Sequence, residues 1–139
     1  MDIVLLAGLG FVGFCVYKLV RYFTTPRPRN LWPGSEPITD PERRAWYTEI
    51  WWETYAVIDP EDRRNHEPTP HWCIYKDAAI IPGGFIGWWS KDQRAIFVTI
   101  GSKDNVNLVR HECAHDIMNA IDHRTKYFSK GTYVMKQFQ

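Results

Sequence analysis

The sequence predicts an α+β fold: a small β-sheet packed against an N-terminal helix and a second, motif-bearing helix, preceded by one transmembrane helix. Three observations carry this. Residues 105–123 contain no Gly or Pro and repeat apolar side chains every three or four positions, the period of an amphipathic helix. Residues 72–100 break into short runs rich in aromatic and β-branched residues, separated by Lys76-Asp77, Pro82-Gly83-Gly84 and Ser90-Lys91-Asp92-Gln93, the punctuation of strands and turns. Residues 3–20 hold one charged side chain, Lys18. With Tyr22 and Phe23 they approach the roughly 20 residues that a bilayer span needs.

In chain order, residues 1–23 read as a membrane anchor. A cleaved signal peptide fits less well, because Asp2 is the only early side-chain charge and no small-residue cleavage site follows. Lys18, Arg21, Arg27 and Arg29 come after the apolar run, which puts the rest of the chain on the cytoplasmic side by the positive-inside rule. Residues 24–40, with Pro26, Pro28, Pro33 and Pro37, read as an extended, semi-rigid linker, and residues 41–139 as the folded domain. Asp40 is placed to cap a helix whose first position is Pro41 and which runs to about Val57. Trp46, Tyr47, Ile50, Trp51 and Tyr55 form its apolar face, read as core packing rather than a cage for a cationic ligand. Asp59-Pro60-Glu61-Asp62 and the residues to His66 read as an exposed turn and loop, and His66 and His71 as surface histidines. Strands are expected at 72–75, 78–81, 85–89 (broken by Gly87) and 94–100.

Composition excludes little but excludes it usefully. The chain of 139 residues suits one domain with a modest core, and seven each of Trp, Tyr and Phe supply large side chains to fill it. The net charge is +1 and basic residues gather on no single element, so nothing points to nucleic acid. The three cysteines, Cys15, Cys73 and Cys113, form no C-x-x-C and read as free thiols rather than a disulfide framework.

The chemistry concentrates in His111-Glu112-Cys113-Ala114-His115. Val106, Val109, Cys113, Ile117 and Ile121, widened by Ala114 and Met118, give the segment an apolar stripe, with Ser102 and Asp104 as candidate N-caps. On a helix, residues four apart share a face, so His111 and His115 can aim two imidazoles at one ion. Glu112 then stands close enough to take a proton from water beside it. A catalytic zinc needs three protein ligands and one open position. Asp116 lies too near His115 to reach round the ion, which leaves Asp122 and His123 as candidates for the third ligand. His123 is preferred because imidazole is the commoner zinc ligand.

The stretch V-R-H-E-C-A-H-D-I-M followed by D-H-R-T-K-Y-F resembles the zincin metallopeptidases, and more narrowly a group of small bacterial and phage zincin-like proteins. The resemblance spans residues 72–128 and is strong only around the motif. It departs from the metzincins, since no Gly stands three residues after His115 and Ile121 holds the place of their third His; the later Glu of thermolysin-like enzymes is also missing. The resemblance implies a Zn2+ cofactor on His111, His115 and His123, Glu112 as general base, and a peptide or protein substrate. It also implies that the strand before the motif helix, residues 96–100, is a sheet edge to which an extended substrate adds, whereas the residues alone fit an ordinary core strand equally well. Tyr127, and more weakly Tyr133, become candidates for binding a developing oxyanion, although packing is the favoured role for Tyr127. The expectation is a single-pass, membrane-anchored zinc metallopeptidase; the alternative is a non-catalytic protein of the same fold serving a membrane or virion assembly.

Overall fold

The computed structural model describes residues 34–76 and 84–139. The predicted anchor, most of the linker and the expected strand at 78–81 lie outside them. Among the described residues, no helix is long and apolar enough to cross a membrane.

The chain runs β1 (Ser35–Pro37), α1 (Pro41–Val57), β2 (His71–Tyr75), β3 (Gly87–Ser90), β4 (Ala95–Thr99) and α2 (Val106–Met118), with short 3-10 turns at Pro60–Asp62, Ile100–Ser102 and Lys136–Phe138. The first element corrects the linker boundary. Ser35 to Pro37 pair antiparallel with β2, so the folded unit begins before residue 41. Pro37 is tolerated there because β1 is an edge strand, where a missing N–H costs no ladder bond.

Helix α1 forms where the sequence places it. The Asp40 carboxylate accepts the Glu42 N–H at 3.1 Å, and Pro41 occupies the first turn. Tyr47, Ile50, Trp51 and Thr54 are its buried side chains, an i, i+3, i+4, i+7 set. Thr54 is the polar exception, and its hydroxyl donates to the Ile50 carbonyl one turn back at 2.8 Å. Trp46 and Tyr55 pack at the rim of the core.

The sheet order is β1-β2-β4-β3. Strand β4 returns into the gap beside β2, parallel to it, with β3 antiparallel on its other side. The strand that the resemblance puts at an edge is therefore interior, the core strand its residues equally allow, and among the described residues β3 is the edge on that side. The physical reason lies in the run Ala95-Ile96-Phe97-Val98, which does not alternate: all five residues of β4 are buried, because both its faces are covered. Trp72, Trp89, Ile96 and Val98 join the core shared with α1 and α2, whereas Cys73, Tyr75, Ala95 and Phe97 cluster on the opposite face. Cys73 and Cys113 are buried free thiols.

The cap of α2 is Asn105, whose side chain accepts the Leu108 N–H at 3.2 Å; neither Ser102 nor Asp104 serves. Asp104 is held instead by Arg43 of α1 at 2.6 Å. The helix stops at Met118 because Asn119 turns left-handed, φ 50 and ψ 41, a conformation Asn tolerates better than most residues. Ile121 is consequently off the predicted apolar stripe and 71% exposed.

Candidate metal centre

Val109, Cys113, Ala114, Ile117 and Met118 lock α2 into the core. The same packing turns His111, Glu112 and His115 toward the side of β3, where all three are buried. The one-turn spacing sets the imidazoles together: His111 Nε2 lies 3.1 Å from His115 Nε2. After Asn119 the chain folds back, Ala120 N–H bonding the His115 carbonyl at 3.1 Å, and His123 Nε2 arrives 3.1 Å from His111 Nε2. His111, His115 and His123 thus form a cluster that can hold a metal ion.

The hydrogen bonds behind the rings sharpen this. His111 Nδ1 lies 3.1 Å from the Tyr133 carbonyl, and His115 Nδ1 lies 2.7 Å from the Ala120 carbonyl. A carbonyl only accepts, so in each ring Nδ1 carries the proton and Nε2 presents a bare lone pair. Burial, reinforced by the neighbouring imidazoles, pushes His111 down to about 3. Burial likewise brings His115 to about 4, so both are neutral at pH 7. Two lone pairs facing each other repel unless a cation lies between them. A tetrahedral metal ion with nitrogen bonds of about 2.0–2.1 Å separates its nitrogens by about 3.3–3.4 Å, close to the spacing observed. The donor set, neutral imidazole with its far nitrogen fixed by a carbonyl, is the one such ions take.

Glu112 sits beside the cluster and is 4% exposed. Burial raises its carboxyl to about 8, opposed by a hydrogen bond from the Trp89 backbone N–H. The space it occupies is left open by Gly87. A Cβ there would stand 2.9 Å from Glu112 Oε1 and 2.9 Å from Leu108 Cδ1, so the close approach of strand and helix requires glycine.

The segment carrying His123 is tied down at a distance. Arg124 and the Tyr127 hydroxyl each reach the Asp62 carboxylate at 2.6 Å, Tyr127 also accepts the Asp59 N–H at 3.1 Å, and Lys126 pairs with Asp59. The Tyr127 hydrogen bond, followed by Lys126 and Arg124, holds the Asp62 carboxyl below its ordinary range. Phe128 then packs against all three histidine rings, with centroids 4.8, 5.8 and 5.5 Å away.

The structure separates the two tyrosine candidates. Tyr127 is 1% exposed and its hydroxyl is spent on Asp62 and Asp59, so it does not reach the centre. The tyrosine at the centre is Tyr133, whose ring lines the adjoining cavity and whose hydroxyl accepts from Asn105 at 3.0 Å. Asp122, the rival third ligand, is instead engaged by Arg124 at 3.4 Å with a 62% exposed side chain. His66 stays apart from the centre, its Nδ1 2.8 Å from the Tyr55 hydroxyl.

The sequence reading missed Asp116. Its carboxylate is fully buried and takes N–H groups from Trp51 (2.8 Å), Trp89 (3.1 Å) and Arg94 (3.1 and 3.3 Å). No local spacing announces it, since its partners lie 65, 27 and 22 positions away.

A cavity of about 690 Å³ opens over the histidines, walled by Phe85, Trp88, Leu108, Ile121, Phe128 and Tyr133. Fold and site together define an α+β domain with a three-histidine cluster that can hold a metal ion, facing an apolar cavity. No protein-family model, no curated protein and no solved structure matches the chain.

Proposed function

We propose that the chain is a zinc-dependent metallopeptidase of zincin type. The observation that carries the reading is the pair of Nε2 lone pairs 3.1 Å apart on α2, each ring locked by a carbonyl, with a third Nε2 brought to meet them and a buried carboxyl alongside. A zinc ion bound there supplies Lewis acidity, polarising a carbonyl oxygen and acidifying water.

Glu112 takes the proton from water and returns it to the leaving amine. Burial raises the Glu112 carboxyl above its ordinary range in the metal-free site, and a bound cation would draw it back toward the carboxylate that a general base requires. Strand β3 supports the substrate side of the reading. The Ile86 carbonyl accepts the Thr99 N–H at 3.0 Å, which fixes the antiparallel alternation: Trp88 and Ser90 bond toward β4, while Gly87 turns its N–H and C=O, and Trp89 its C=O, to an edge that carries no further strand among the described residues. An extended peptide can add along that edge and lie across the histidines. Tyr133, whose ring lines the cavity with its centroid 6.4 Å from that of His111, replaces Tyr127 as the candidate for binding an oxyanion. Membrane attachment through residues 1–23, with the domain on the cytoplasmic side, belongs to the same proposal and rests on the apolar run and the basic residues after it.

The test is metal content and cleavage of a mixed-sequence peptide pool by the purified chain and by Glu112→Gln. Roughly one zinc per chain is expected in both, with hydrolysis in the native protein only and a loss of about 10²–10⁴-fold or more in the variant. Equal cleavage by both removes Glu112 from the mechanism. Zinc in both with no cleavage by either favours the non-catalytic alternative.

A further inference from the structure

We infer that Asp116 is a positioning residue for this centre: it fixes Trp89, whose backbone holds Glu112 and whose ring faces His115. The inference rests on the metal-site reading above.

A carboxylate with no exposure to water is retained only if its charge is paired and its lone pairs are filled. Asp116 meets both conditions through three residues from three places in the chain. Oδ1 accepts Trp89 Nε1 and Arg94 Nε, both at 3.1 Å; Oδ2 accepts Trp51 Nε1 at 2.8 Å and Arg94 Nη2 at 3.3 Å. Core stability alone does not call for such an arrangement, since well-packed apolar side chains of similar volume usually serve as well. What charge-assisted bonds add is direction.

Of the three donors, Trp89 is the one that also reaches the centre. Its ring lies nearly parallel to that of His115, centroids 6.3 Å apart at 13°. Its backbone N–H donates to Glu112. Trp51 stacks instead on Tyr55 within α1, centroids 5.3 Å apart. Arg94 acts on the same strand by another route. It closes the turn between β3 and β4 with φ 46, an uncommon conformation for a residue with a side chain, and its two-point grip on Asp116 pins that turn to α2. The residue after His115 thus sets where the edge strand lies relative to the helix carrying the motif. That relation decides whether Glu112, which Gly87 admits and Trp89 holds, faces the same point as the histidines.

Loading the metal-free protein with Co2+ provides a spectroscopic test, because the visible absorption of bound Co2+ reports ligand geometry. Asp116→Asn and Trp89→Phe are each expected to alter the spectrum and weaken Co2+ binding about tenfold, the range for partners just behind metal ligands. The double variant should lose little beyond the larger single effect, since both break one chain of contacts. Trp51→Phe removes a donor from the same carboxylate and is expected to lower thermal stability while leaving spectrum and affinity native. The inference is overturned if Trp51→Phe shifts the spectrum as much as Trp89→Phe, if Trp89→Phe leaves it native, or if the two single effects simply add. Should Asp116→Asn fail to fold, the two tryptophan variants still decide. A native protein that binds no Co2+ sinks the metal reading and this inference together, whereas a native spectrum that Trp89→Phe leaves unchanged sinks only the inference.

Discussion

The candidate centre is assembled from two halves held by different physics. His111, Glu112 and His115 ride on one turn of α2, are 8%, 4% and 6% exposed, and owe their spacing to helix geometry. His123 comes from an exposed segment beyond the helix and owes its place to Arg124, Lys126 and Tyr127 docking on Asp59 and Asp62, more than 60 positions earlier. The first half is fixed by local hydrogen bonds and core packing. The second is fixed by a polar clamp, and isolated surface ion pairs are weak, with a median of about 0–1 kcal/mol. Here the buried Tyr127 phenol converts the ion pairs into a network with one wall away from water. The difference teaches that the ligand pair is preorganised, whereas the third ligand is delivered.

The largest expected effect separates the halves by deletion. His115→Ala leaves His111 and His123 joined only through the loop, and metal binding is expected to fall below detection at micromolar ion. His123→Ala keeps the helical pair and is expected to retain weak binding, reduced roughly 100-fold, beyond the usual cost of losing an outer partner. Competition against a chromogenic chelator measures both. Equal loss in the two variants would erase the distinction between a preorganised and a delivered half.

The next effect lies within the helical half. Gly87→Ala puts a methyl group 2.9 Å from Glu112 Oε1 and must displace the carboxyl, Leu108 or the strand. A shift of about 1 Å in a catalytic group can cost on the order of 100-fold in rate. Peptide hydrolysis is expected to drop by that order while the three histidines still bind metal. Unchanged hydrolysis would mean that Glu112 has slack the structure does not suggest.

A smaller effect probes the clamp. Asp62→Ala strips Arg124 and Tyr127 of their shared partner. Metal affinity is expected to fall about tenfold, with the helical half unaltered in the histidine NMR signals of His111 and His115. If those signals move as much as that of His123, the two halves are one unit.

The same division governs what was legible in the sequence. The extent of α1 could be read because Asp40, Pro41 and the apolar period are local signals, and the helical pair because four residues make about one turn. His123 could be named as a candidate from chemistry, but its clamp could not, because nothing near His123 in sequence points to Asp62. Tyr127 was drawn toward the centre by its nearness to His123 in the chain, and the fold assigned that position to the clamp. The interior place of β4 is legible in its unbroken apolar run, and only the family resemblance set an edge position against it. Strand β1 was hidden by the prolines around it, which suit an edge strand as well as a linker. Asp116 had no sequence signal, since a buried carboxylate is recognised only when its donors are seen converging on it.

The smallest effect is a pH profile, and it weighs the halves without metal. In the metal-free protein His111 and His115 titrate at about 3 and 4 against an ordinary value of 6.5, burial being the main cause and His123 a lesser one. The unfolded chain therefore binds more protons than the fold below pH 6.5, and stability falls as pH drops from there toward 3. Glu112 works in the other direction. Its folded value of about 8 lies above the ordinary 4.5, so its contribution is full below 4.5 and is lost as pH rises through 8. For these groups together, metal-free stability should peak near pH 6.5, with a midpoint several degrees lower on either side, since about 1 kcal/mol moves a domain of this size by roughly 4–8 °C. Thermal melts across pH check this. Glu112→Gln should flatten the limb between pH 6.5 and 8, and His115→Ala the acid limb, whereas His123→Ala should only trim it, because burial of the helical pair dominates. An acid limb abolished by His123→Ala would show the loop, rather than the core, to be what keeps the helical pair neutral.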